Sequence, residues 1–60
     1  MKAMHKNELA RFAGVTIDTF KKYVNAVLSN PAFADYDKHQ KILTPKQVAV
    51  LCEHYGIDIE

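Results

Sequence analysis

One stretch constrains the fold of this 60-residue chain more than any other: residues 6–25, KNELARFAGVTIDTFKKYVN. Leu9, Phe12 and Ala13 recur at helical spacing in its first half, and Ile17, Phe20, Tyr23 and Val24 in its second. Gly14 separates the two. A sharp reversal between helices calls for a residue at φ > 0, and glycine takes that conformation without steric penalty. Val15 follows as an expected buried turn residue. Thr16 is suited to cap the next helix through its hydroxyl. Ala10, four residues before Gly14, leaves room for the second helix to cross the first. The pattern is that of a helix-turn-helix, whose second helix is often the one that enters DNA.

The remainder is organised around that unit. Residues 1–6 read as a flexible basic arm carrying Lys2, His5 and Lys6. The first helix is expected over residues 7–13 with Asn7 as its cap, and the second over residues 17–28. Its apolar stripe is Ile17, Phe20, Tyr23, Val24, Val27 and Leu28. Ser29-Asn30-Pro31 ends it, because the residue before proline is pushed out of the helical region. Phe33, in a short turn after Pro31, and Phe12 are expected in the core. Residues 36–43 are either an extended loop or a small hairpin, in the place of a wing, with Ile42 and Leu43 returning to the core. The last helix, residues 44–56, is the best marked. Thr44 is its N-cap, Pro45 its first residue and Gln47 the partner in a capping box. Val48, Leu51, Cys52 and Tyr55 share one face, and Gly56 suits the position after the helix.

Charge is segregated along the chain. Residues 1–46 hold all eight Lys and Arg against Glu8, Asp18, Asp35 and Asp37, a balance of +4. Residues 47–60 hold only Glu53, Asp58 and Glu60, a balance of −3. That polarity suits a domain with one face toward phosphates. The apolar fraction of 48% is that of a folded domain. Cys52 is the single cysteine, so no intrachain disulfide staples the chain, which fits a reducing, cytoplasmic setting. No apolar run approaches the roughly 20 residues of a membrane span, and the first residues lack the apolar core of a signal peptide.

ELARFAGVTIDTFKKYV resembles the opening of MerR-type and excisionase-type DNA-binding domains, the winged helix-turn-helix group. KILTPKQVAVLCEHYG resembles their closing part, an aliphatic pair, a Thr-Pro cap and an amphipathic helix ending in Tyr-Gly. The resemblance covers residues 6–56. It implies a DNA-binding helix-turn-helix followed by a loop or wing and a last helix. The wing is short of glycine here, and no dimerising coiled coil or effector domain follows, so a small excisionase-like protein or a detached DNA-binding domain fits better than a full MerR regulator.

If the second helix lies in a major groove, Thr16, Asp18, Thr19, Lys22 and Asn25 face the bases. Lysine donates to guanine, asparagine bonds adenine and aspartate accepts from cytosine. Lys21 and Lys22 suit phosphate equally well. The plainer reading is a solvated helix face, with Asp18 complementing the helix dipole. Lys38, His39 and Lys41, with Gln40, stand where a wing would grip phosphate, or form an ordinary polar loop. Arg11 and Lys6 either touch the DNA backbone or, for Arg11, pair with Glu8 one turn away. No catalytic, metal-ligating or cofactor-binding set is expected. His5, His39 and His54 have no zinc spacing, Cys52 lies on an apolar stripe, and neither a glycine-rich phosphate loop nor a usable carboxylate pair is present.

The expected fold is thus a single, mostly α domain. It has three to four short helices, a helix-turn-helix at the N-terminus and a wing-like loop or small hairpin before the last helix. The expected function is sequence-specific double-stranded DNA binding by a non-enzymatic regulator or excisionase-like factor. It would work as a homo-oligomer or cooperative array on DNA, with no membrane or small-molecule substrate. The alternative is a protein-interaction or oligomerisation module that keeps the scaffold without binding DNA.

Overall fold

The computed structural model describes residues 2–59. Met1 of the expected arm and Glu60 of the acidic tail lie outside the described residues. The fold is mostly α. In chain order the elements are β1 (Met4–His5), α1 (Lys6–Ala13), α2 (Ile17–Ala26), a 3-10 turn (Pro31–Phe33), β2 (Ile42–Leu43) and α3 (Pro45–Tyr55). No helix among the described residues is long and apolar enough to cross a membrane.

Local chemistry accounts for each boundary. Gly14 ends α1 at φ 73°. Its N–H donates to the Arg11 carbonyl, and that of Val15 to the Ala10 carbonyl, both at 3.1 Å. This paired closure satisfies carbonyls that the helix end would otherwise orphan. Gly56 ends α3 in the same way at φ 65°, with the Ile57 N–H donating to the Cys52 carbonyl at 3.0 Å. Thr16 caps α2: its hydroxyl accepts from the Thr19 N–H at 3.3 Å. Thr44 and Gln47 form the full capping box on α3.

Ala10 is buried, as expected of the residue at the helix crossing, and Leu9, Phe20, Val24, Leu43, Val48 and Leu51 fill the centre. Val27, Phe33 and Cys52 complete it, and Ile57 and Ile59 pack partly buried against it. Tyr23 and Tyr55 stack with ring centroids 4.1 Å apart. The Tyr55 hydroxyl donates to the Tyr23 carbonyl at 2.9 Å, tying α3 to α2.

Several sequence expectations are corrected. Residues 4 and 5 are not part of a mobile arm. They pair antiparallel with β2, Met4 opposite Leu43 and His5 opposite Ile42, and Met4 is buried. The ladder continues with the Lys6 N–H donating to the Lys41 carbonyl at 3.0 Å. Residues 36–43 are therefore a loop whose last strand pairs with the chain's beginning. Asn7 does not cap α1. The cap position is His5, without a side-chain bond, because strand pairing already fixes that residue in extended backbone. The second helix stops at Ala26, since Val27 has left helical geometry at φ −112° and ψ 11°. Phe12 and Leu28, assigned to the core by periodicity, and Ile42, expected there with Leu43, are 50%, 41% and 51% exposed. Periodicity marks a face, and a 60-residue domain has too little interior to cover every apolar side chain on it. Val15 is only half-buried.

Candidate nucleic-acid interface

Two hollows lie side by side between α2, the start of α1 and the loop at 36–41, and Lys6, Lys21, Lys38 and His39 line both. Together they form one open groove. Asn25 on α2 and Leu28 just past its end extend it in one direction, and Lys41 and His5 extend it toward the small sheet. Lys21 and Asn25 fall at i and i+4, so one flank of α2 supplies one wall, and Leu28 adds to it just beyond the end of the helix. Among the described residues, Asp37 is the only carboxylate residue lining either hollow.

The opposite wall is held by a chain of side-chain bonds. The Asp37 carboxylate accepts from the His39 N–H at 2.9 Å, and the Asp37 N–H donates to Gln40 Oε1 at 3.1 Å. Gln40 Nε2 donates to the Ile42 carbonyl at 2.7 Å and to Gln47 Oε1 at 3.0 Å. Gln47 is buried. Its Oε1 also accepts from the Thr44 N–H at 3.0 Å, and its Nε2 donates to the Ala32 carbonyl at 3.3 Å. One glutamine thus joins α3, the 3-10 turn and the cationic loop. Lys6 is held as well. Its ammonium donates to the Lys38 carbonyl at 3.1 Å and stands 4.8 Å over the Tyr36 ring.

Of the residues singled out in the sequence, Lys21, Asn25, Lys38, His39 and Lys41 come together around this groove. Thr16, Asp18, Thr19, Lys22 and Arg11 do not line it. The Thr16 and Thr19 hydroxyls are engaged with each other at 3.2 Å in the cap of α2, so capping occupies both. Asp18 sits in the first turn of α2, where its charge complements the helix dipole. Lys22 is exposed one turn on from Asp18, and Arg11 is exposed in the last turn of α1. Leu28 and Tyr36 also enter the groove; from the sequence Leu28 is expected in the core, and Tyr36 in the core or at its rim, with stacking on nucleic acid its less favoured reading. Tyr36 shows no periodic signal, and Leu28 shows a misleading one.

Cys52 is poorly placed for nucleophilic work. Burial, and then the negative charge of Asp58, push its thiol above the ordinary value, which disfavours the reactive thiolate. Comparison of the chain with protein-family models, with curated proteins and with solved structures finds no match.

Proposed function

We propose that this chain is a non-enzymatic, sequence-specific double-stranded DNA-binding domain, a small regulator or excisionase-like factor. In this reading α2 enters the major groove and the loop at 36–41 grips the flanking phosphates. The observation that carries it is the convergence of Lys21 and Asn25 with Lys6, Lys38, His39 and Lys41 around one groove. Four of these six are lysines, and the Asp37 carboxylate beside them already bonds the His39 N–H. The side chains act by position. Asn25 presents an amide able to bond an adenine edge, and the lysines fix register through phosphate without reading sequence. The bond network behind the loop means that little ordering of the loop is needed at docking, which limits the entropic cost of binding.

Four lysines neutralising about four phosphates give log K against log salt a slope of about −3.6. Affinity for a duplex then falls about a hundredfold between about 50 and about 200 mM salt. Titration of a labelled duplex at both salt levels tests the reading. Replacing Lys21 and Lys38 together by alanine should lower the slope by about two. No binding at low salt, or a slope unchanged in that variant, would sink it.

A second reading, an interaction or oligomerisation module, is favoured by one observation: Phe12 and Ile42 are about half exposed. Light scattering after size exclusion separates the two. A stable dimer indifferent to DNA supports the second.

A further inference from the structure

The groove has one feature that contact with a duplex backbone does not use. At the C-terminal end of α2 its lining is apolar: Leu28, Phe33 and the ring of Tyr36. Phosphates and sugars offer nothing that requires such a surface. Leu28 is also 41% exposed, although its apolar side chain would be better covered. The Tyr36 ring is fixed in place, with Phe33 edge-on at 5.5 Å and the Lys6 ammonium over it. Asn25 lines the same end, and Lys21 and Lys38 border it. The lysines continue beyond it into the second hollow, through the shared Lys6 to Lys41.

We propose that this groove takes unpaired nucleotides, binding single-stranded DNA with one base seated against Leu28 and Tyr36 and the flanking phosphates along Lys21, Lys38 and Lys41. A paired base hides its face in the stack and offers only an edge, whereas an unpaired base offers a face to an apolar or aromatic surface. The Asn25 amide stands where it can bond the exposed pairing edge of such a base. A row of cations through two adjoining hollows suits a polyanion better than one isolated phosphate group. This inference deepens the DNA reading of the same groove: the favoured site becomes a duplex with a frayed or single-stranded flank.

Three labelled oligonucleotides test it: a blunt duplex, the same duplex with a short single-stranded overhang, and the overhang strand alone. The overhang should raise affinity about tenfold over the blunt duplex, the contribution of one stacked base. Leu28→Asn should remove that gain, so that overhang and blunt duplexes bind the variant equally. Because Leu28 is substantially exposed, this variant should melt close to the parent, and a circular-dichroism melt run alongside establishes that. Equal affinity for blunt and overhang duplexes overturns the inference while leaving duplex binding intact. A gain that survives Leu28→Asn overturns it too. Binding of the single strand with none of the blunt duplex supports the inference and removes the duplex reading instead. No binding of any of the three overturns both.

Discussion

Gln47 offers the sharpest test of how this domain is held together. Substituting Gln47→Leu keeps most of the side-chain volume, so the cavity penalty of a truncation is small. The polar atoms go, and with them three bonds: from the Thr44 N–H, which is the side-chain half of the α3 capping box, from Gln40 Nε2, and to the Ala32 carbonyl. Gln40 Nε2 keeps the Ile42 carbonyl. The Thr44 N–H and the Ala32 carbonyl lose their side-chain partner next to a buried position. Stranding such a group costs about 1–3 kcal/mol. Thr44 is exposed enough for water to replace part of the loss, so the expected total is about 2 kcal/mol. A domain of this size has a net stability of about 3–9 kcal/mol. The melting temperature should therefore drop by about 12 °C. Thermal denaturation followed by far-ultraviolet circular dichroism measures this, with Thr44→Ala beside it. That control loses only the capping hydroxyl and should cost about 1 kcal/mol. If Gln47→Leu costs no more than Thr44→Ala, the bonds to Gln40 and Ala32 add nothing and the account of a glutamine-held loop is wrong.

Three further outcomes are expected. Gly14→Ala should cost about 1–2 kcal/mol from the left-handed backbone alone, because a Cβ there meets nothing within 4 Å; a loss far above that in a chemical-denaturation curve would mean a clash. Tyr55→Phe removes the bond to the Tyr23 carbonyl and keeps the ring stack, so denaturation should register a loss of about 1 kcal/mol. Cys52 has its thiol pushed up by burial and by Asp58. A raised folded value means the protonated thiol supports the fold below the unfolded value and that support is lost as pH climbs through the folded one. Thiol labelling at neutral pH should accordingly be much slower in the native protein than in denaturant, and equal rates would contradict the burial.

The sequence by itself determined the local events. Gly14 and Gly56 end helices because each terminus needs a left-handed residue. Thr16, Thr44 and Gln47 begin them because short polar side chains reach orphaned N–H groups. Helical spacing identified Leu9, Phe20, Val24, Val48 and Leu51 as core. Five of the groove residues, Lys21, Asn25, Lys38, His39 and Lys41, were legible as polar or basic side chains on an exposed helix and a polar loop. Only the tertiary structure decided the rest, since it depends on pairs distant in the chain. Met4 and His5 become a strand because Ile42 and Leu43 lie opposite them. Gln47 turns from a cap partner into the link between α3, the loop and the 3-10 turn. Phe12, Leu28 and Ile42 stay exposed because a small core fills before every apolar side chain is placed. Spacing along a chain fixes which side chains share a face, whereas what lies across from that face is set by how the elements pack, and that packing joins one flank of α2 to the loop in one groove.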